Sequence, residues 1–276
     1  MGGEVSDKDR FAFGRNWQRF LEVLDDNRTR IAEESIKDML GGDTLAGRTF
    51  LDVGSGSGLF SLAAKRLGAR VHSFDYDSQS VACTRELKRR YLPEDIEWQI
   101  ERGSVLDAEY MRSLGRFDVV YAWGVLHHSG DMWRALDNVA PSVAEGGKLF
   151  ISIYNDQGRA SRRWAFIKRL YNRLPRPFGF PLEVYTLIRQ WSLTFVRDLF
   201  KGDPLGSWRE YRRDRGMSPW RDIVDWVGGY PFEIAKPEEI FEFYHRRGFV
   251  LERLKTCAGG IGCNEFVFIR PVISDD

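Results

Sequence analysis

The chain has 276 residues, 43% of them apolar and 29% charged, with 41 Lys and Arg against 40 Asp and Glu. That balance fits a globular protein with a sizeable core and excludes both a disordered chain and a globally basic nucleic-acid binder. No apolar run approaches the ~20 residues of a membrane-spanning helix, and the N-terminus shows no signal or transit pattern. The cysteines, Cys83, Cys257 and Cys263, make no disulfide framework, so a cytoplasmic location is the expectation.

In chain order, Phe13, Trp17, Phe20, Leu21 and Leu24 recur at three- and four-residue spacings, which predicts a helix within 7–40, stopped by Gly41 and Gly42. From 49 to 154 strand and helix patterns alternate. Strands are expected at 49–53, 70–74, 96–101, 117–123 and 148–154, and helices at 58–67, 78–90 and 132–139. Ser78 and Asp131 are the expected N-caps, and Gly68 and Pro141 the stops. Such alternation with short loops implies right-handed crossovers and a parallel sheet.

The rhythm breaks over 156–235. This stretch reads as helical, holds five of the nine tryptophans, and carries 15 Lys and Arg against 9 Asp and Glu. The shift in composition marks an insertion. The rhythm resumes with a helix opened by Pro237 and closed before Gly248, then two strands, 249–256 and 264–270, joined by a Gly-rich turn and expected to pair antiparallel.

Residues 50–60 read F-L-D-V-G-S-G-S-G-L-F, an apolar strand running into Gly54, Gly56 and Gly58 and then a helix. Bare glycines let a ligand approach the backbone, and a helix N-terminus offers unpaired N–H groups. Asp75 ends the second strand, 21 residues after Gly54, where an acid accepts hydrogen bonds from ribose hydroxyls. Leu59 stands where a dinucleotide-binding loop has its third glycine, so the loop departs from that pattern.

On these residues the chain resembles the class I S-adenosylmethionine-dependent methyltransferases. L-D-V-G-S-G-S-G looks like their first motif, F-D-Y-D with Asp75 like their ribose-binding acid, and R-G-S-V-L-D (102–107) like the loop beside the adenine. F-D-V-V-Y-A-W-G-V-L-H-H (117–128) resembles the fourth strand with its active-site edge, and E-G-G-K-L-F-I-S (145–152) the turn and fifth strand. The likeness is greatest to ubiquinone-biosynthesis-type O-methyltransferases and their small-molecule relatives. It implies an α/β fold with a Rossmann-like seven-stranded sheet, mostly parallel with the last strand reversed, and a helical insertion after the fifth strand. Residues 45–155 and 236–276 would form the S-adenosylmethionine-binding domain, 1–44 a helical lid segment, and 156–235 a cap over the acceptor site.

The resemblance also implies site residues. Asp52 and the Gly54–Ser55–Gly56–Gly58 loop meet the donor's amino-acid tail, Asp75 its ribose diol, and Tyr76, Ser104 and Val105 its adenine. Many members carry an acid where Ser104 stands, and Asp107 is the candidate to substitute for it. Methyl transfer needs a dry pocket that aligns donor and acceptor, and a hydroxyl acceptor needs a base. His127, His128 and Tyr154 are the catalytic candidates, with no choice made between the histidines. Trp123 reads as a wall shared by donor and acceptor. Asn155 is an acceptor contact, with Trp220, Trp226, Tyr230 and Arg221 as candidates on the cap. The insertion's arginines favour an anionic acceptor. His72 reads as structural, His245 as a surface residue, and Cys257 and Cys263 as hairpin residues and not metal ligands. Phe11, Phe13 and Trp17 read either as a lid over the donor or as core packing against the sheet edge, and both can hold in different states.

The leading function is methylation of a small molecule, at oxygen, with S-adenosylhomocysteine as by-product. A tRNA base methyltransferase is the second reading, supported by the basic, Trp-rich insertion but by no separate RNA-binding domain. A non-catalytic binding module is the third; the intact glycines and Asp75 speak against it. A homodimer is compatible with all three.

Overall fold

Asp25 sets the start of helix α1 (Asp26–Leu40): its carboxylate accepts from the Arg28 N–H at 2.9 Å, and Gly41 closes the helix at φ 70°. The computed structural model describes residues 14, 17, 21, 24–215, 219–260 and 262–272, without the side chains of 176, 212–215 and 221. The continuous helix expected over 7–40 is interrupted, since Leu21 lies in a turn and residues 24 and 25 are not helical. Asp is a better cap than a helix-interior residue, and here it acts as one.

The alternating region follows. It comprises β1 (Thr49–Val53), α2 (Leu59–Arg66), β2 (Arg70–Asp75), α3 (Ser78–Tyr91), β3 (Trp98–Arg102), α4 (Ala108–Ser113), β4 (Phe117–Trp123), α5 (Met132–Val139) and β5 (Val143–Tyr154). Asp77, not Ser78, caps α3, its carboxylate accepting from the Gln79 N–H at 2.8 Å. Asp131 caps α5 as expected. The short helix α4 was not legible in the pattern, and Asp107 caps it. After α6 (Arg159–Arg173), α7 (Arg176–Phe200), α8 (Gly206–Arg215) and α9 (Pro219–Gly228), the chain returns through α10 (Pro237–His245), β6 (Val250–Lys255) and β7 (Cys263–Ile269). Among the described residues no helix is long and apolar enough to cross a membrane.

The strands make a seven-stranded sheet in the order β3-β2-β1-β4-β5-β7-β6. β1 to β5 run parallel, and β7 is antiparallel to both its neighbours. Strand alternation sends Leu51, Val53, Val120, Ile151 and Phe266 to a core shared with α5 and α10, and Phe50, Val119, Phe150 and Val267 to a core shared with α1 and α2. Both faces are therefore apolar, as a sheet covered on two sides requires. The order reverses between β1 and β4, which opens a crevice at the carboxyl ends of the strands.

The chain forms two compact units, residues 14–158 with 233–272, and Arg159–Phe232. The second has its own small core of Trp164, Ile167 and Val227, with Tyr171, Leu182, Trp226 and Phe232 against it. Lys168 is fully buried there; its ammonium lies 4.1 Å from the Trp226 ring centre and 4.9 Å from that of Phe232, and donates to the Trp226 carbonyl. Cation–π contact and that hydrogen bond compensate the burial of its charge.

Candidate active site

The loop after β1 turns through Gly54, Gly56 and Gly58, with φ of 75°, 56° and 82°. The N–H groups of Gly54 and Ser55 donate to the Phe74 carbonyl at 2.8 and 3.0 Å, which moors the loop to the end of β2. A Cβ at Gly54 would sit 2.5 Å from Val125 Cγ1, and one at Gly58 would sit 3.0 Å from Thr84 Cα. Side chains are thus excluded by both conformation and space. The Ser55 and Thr84 hydroxyls are bonded at 2.9 Å. The Trp17 indole lies over Gly56, its Nε1 3.1 Å from where a Cβ would be, and the Gly14 N–H donates to Asp77 Oδ2 at 3.0 Å. Trp17 is therefore at the loop; Phe11 and Phe13 lie outside the described residues.

Asp75 faces this loop. Its Oδ2 accepts from the Gly56 N–H at 2.9 Å and its Oδ1 from the Asp77 N–H at 2.8 Å. Burial pushes its carboxyl up to about 6, against the lowering effect of those bonds. Asp52 is placed differently. Alternation along β1 turns it onto the α2 face, where Ser61 Oγ donates to it at 2.5 Å; Ser61 and Ser73 are 2.7 Å apart, and Trp98 Nε1 donates to Ser73 at 2.9 Å. Burial lifts its carboxyl to about 7. The structure thus engages Asp52 in tying α2 to the sheet, where the sequence placed it at the donor's tail.

At the β2–β3 edge, Tyr76 is exposed beneath the Arg102 guanidinium, 5.7 Å from its ring centre, and its carbonyl accepts from Arg102 Nε at 3.1 Å. Gly103 N–H donates to the Asp75 carbonyl at 3.1 Å, so the 104–105 loop stands beside Asp75 and Tyr76. Val105 is buried, and Ser104 Oγ accepts from the Leu106 N–H at 3.2 Å. Asp107 accepts from the Glu109 and Tyr110 N–H groups, both at 3.0 Å. Its Oδ1 is thereby engaged as the cap of α4.

At the end of β4, residues Leu126–His128 form a 3-10 turn. His127 is buried at 1% exposure, and its Nδ1 is 3.0 Å from the Ser152 carbonyl. A carbonyl only accepts, so Nδ1 carries the proton and Nε2 is the ring's basic nitrogen. The His127 ring centre lies 4.1 Å from Tyr154 and 4.5 Å from His128, and His128 and Tyr154 are 5.4 Å apart. All three catalytic candidates are therefore brought together. Burial raises the Tyr154 phenol well above its ordinary value. Glu233 holds the turn: its N–H donates to the His127 carbonyl at 3.0 Å, and its carboxylate accepts from Gly130 and Met132 N–H at 2.9 and 3.0 Å. It falls inside the expected insertion, so no local pattern pointed to it.

The other candidates have partners of their own. Asn155 bonds through Oδ1 to Asn264 at 3.1 Å and through Nδ2 to the Gly260 carbonyl at 3.4 Å, which joins the β5 end to the hairpin turn. Trp123 is exposed, and its Nε1 donates to Glu265 Oε1 at 3.1 Å; Glu265 was not singled out in the sequence. Trp226 packs edge-on against Trp164 at 5.7 Å, Tyr230 receives Arg169 Nε at 3.0 Å, and Trp220 lies 5.8 Å from Phe180. These rings serve the packing of their own unit, because a helical segment of that size needs an apolar core. The Arg221 side chain lies outside the described residues. His72 pairs with Glu101 at 3.0 Å, and His245 is exposed and stacked on Phe241.

The bare glycines, the carboxylate of Asp75 and the neighbouring Tyr76 fit a nucleoside whose diol donates to an acid. The chain is 30% identical over 125 residues to a ubiquinone biosynthesis O-methyltransferase of Methylobacterium sp. (strain 4-46), covering 43% of this chain and 46% of that relative. It is 30% identical over 140 residues to the like-named protein of Coxiella burnetii (strain Dugway 5J108-111), covering 51% and 55%. The chain thus spans about half the length of the curated relatives it matches. Among solved structures it is similar to magnesium protoporphyrin IX methyltransferase from Synechocystis PCC 6803 with bound SAH, at TM-score 0.53, 14% identity and coverage of 88% and 83%. It is equally similar to the cyclase SpnF, at TM-score 0.54, 12% identity and coverage of 89% and 81%. At these identities the likeness is one of fold. A family model described as methyltransferase domain matches residues 15–202, more than half of the chain, and takes in the glycine loop, Asp75 and the histidine turn together. With the sheet order and the site geometry in agreement with that match, this chain belongs to the methyltransferase-domain family.

Proposed function

We propose that the protein transfers a methyl group from S-adenosylmethionine to a hydroxyl oxygen of a small-molecule acceptor. The observation that carries this is the contact between the donor loop and the histidine turn. Gly54 abuts Val125, two residues before His127, so a nucleoside held by Gly56 and Asp75 lies next to a base. The named relatives, O-methyltransferases of ubiquinone biosynthesis, support oxygen as the target.

Bound donor supplies an electrophilic methyl on a sulfonium. The chain's own part is to hold and orient. Asp75 accepts from the ribose hydroxyls, the glycine-loop backbone meets the tail, and Tyr76, Ser104 and Val105 flank the adenine. A base must reach the acceptor. His127 is buried, whereas His128 is partly exposed, so His128 takes the acceptor's proton and His127, pinned to the Ser152 carbonyl, orients it. Trp17 over Gly56 supports a lid role for the N-terminal segment.

The insertion's part in choosing the acceptor rests on its place in the chain, directly after β5. The Ala235 N–H donates to the Tyr154 carbonyl, and Asp156 N–H to that of Ala235, so a short linker can replace 159–232 while Glu233 stays in place. That deletion should keep S-adenosylhomocysteine binding and lose turnover. For the main reading the test is calorimetry with S-adenosylhomocysteine, then turnover of His128→Asn. Micromolar binding with turnover reduced ~100-fold or more in the variant is the expected result. A folded wild-type protein that does not bind S-adenosylhomocysteine refutes it.

A further inference from the structure

We infer that Glu265 is the residue that recognises the acceptor, and that Trp123 covers its carboxylate until a neutral, hydroxylated acceptor displaces the indole. The inference rests on the methyl-transfer reading and adds the acceptor's class to it. In the sheet register Trp123 faces Ser152 and Ser152 faces Glu265, so one side chain from each of β4, β5 and β7 stands in a row on the same face. Trp123 Nε1 reaches across β5 to donate to Glu265 Oε1 at 3.1 Å. The indole is 42% exposed, while the Glu265 side chain beneath it is only 17% exposed. An exposed ring held by one hydrogen bond is readily displaced.

Two buried hydroxyls border the same row. Ser152, 0% exposed, stands between Trp123 and Glu265, and Tyr121, two residues before Trp123 on the same face, is 3% exposed; the hydroxyls of both are buried. Neither has a hydrogen-bond partner among the described residues. Buried hydroxyls without partners are uncommon in folded proteins and mark places where a ligand or water completes the site. Burial raises the Tyr121 phenol well above its ordinary value, and the charges of Asp52 and Glu265 add to that.

The charges define what fits. Glu265 can only accept, and the ammonium of Lys255 lies 3.8 Å from its Oε2. The carboxylate disfavours an anionic acceptor, and the adjacent lysine removes most of the gain from a cationic one. A neutral ring with hydroxyl groups satisfies the row: one O–H donates to Glu265, and its oxygens receive the hydroxyls of Ser152 and Tyr121.

The test is calorimetry on the S-adenosylhomocysteine-loaded protein with catechol and benzoate as probes. Catechol should bind saturably and more tightly than benzoate. Glu265→Gln should weaken catechol by ~10-fold or more with S-adenosylhomocysteine affinity unchanged, and should improve benzoate. Trp123→Phe, which removes the competing N–H, should tighten catechol by ~3-fold or more. In a nitrogen-15 spectrum the indole N–H signal that Trp123→Phe deletes should move on catechol addition. A Glu265→Gln protein that binds catechol as wild type does, a wild type that prefers benzoate, or no saturable catechol binding overturns the inference. Loss of S-adenosylhomocysteine binding in wild type is a distinct result that overturns the methyl-transfer reading as well.

Discussion

Replacing Asp75 by Asn should make the donor-free protein more stable at alkaline pH and, at the same time, strip it of donor affinity. Burial lifts this carboxyl from 3.8 to about 6 although two backbone N–H groups bond to it. A tenfold change in proton affinity corresponds to ~1.4 kcal/mol, so the buried charge costs the folded state at most about 3 kcal/mol above its folded pKa. Between 3.8 and about 6 the folded state keeps a proton that the unfolded state has lost, so stability falls as pH rises through that window and is level above it. Asn carries no charge and escapes the penalty. Its Oδ1 can accept from only one of the Gly56 and Asp77 N–H groups, and losing the other offsets ~1 kcal/mol. The net gain is ~2 kcal/mol at about pH 8 and vanishes by about pH 4. A charged hydrogen bond contributes ~1.5–3 kcal/mol, so losing carboxylate bonds to the ribose diol should raise the Kd for S-adenosylhomocysteine by ~100-fold or more. Urea unfolding at both pH values and calorimetry with S-adenosylhomocysteine measure the two effects. A variant that keeps wild-type affinity, or that is less stable than wild type at the higher pH, refutes the reasoning.

Other sites give independent checks. Asp52→Asn keeps an acceptor for Ser61 but removes a buried charge with a pKa near 7, so it should gain up to about 4 kcal/mol in urea unfolding as pH rises from about 4 to 8; a gain that does not depend on pH would refute the burial argument. Gly58→Ala places a Cβ at positive φ, 3.0 Å from Thr84 Cα, and should lower stability by ~2 kcal/mol in the same assay. Glu233→Ala frees two buried-side N–H groups below the histidine turn. It should lose ~2 kcal/mol of stability and most turnover while S-adenosylhomocysteine still binds.

Much of the sheet and part of the site were readable in advance because their signals are local. β1 and β4 keep the expected bounds, and β2 and β7 differ by a residue or so at their ends, since apolar runs flanked by Gly, Asp and Pro leave little choice of register. The placement of Asp75 against the glycine loop was readable because it is set by spacing along the chain. The helix α4 was missed because it is short, and the break at Asp25 because the apolar period continues on its N-terminal side. The hydrogen bonds that the neighbouring acids make were not legible in advance. Asp52 lies next to the loop in sequence and ties α2 to β1 through Ser61, and Asp107 caps a helix.

The strand–helix alternation, the positive-φ glycine turn and the acid at the end of β2 are legible in the residues alone, because each depends on neighbours within a few residues or on a fixed spacing. Which side chains stand together depends on strand pairing across the sheet. The pairing of β4, β5 and β7 sets Trp123, Ser152 and Glu265 in one row, although Trp123 and Glu265 are 142 positions apart. Glu233 is bound to the histidine turn from more than 100 positions away. Such contacts come from strand order and burial, which satisfy hydrogen bonds between segments that carry no mark of one another in their own residues.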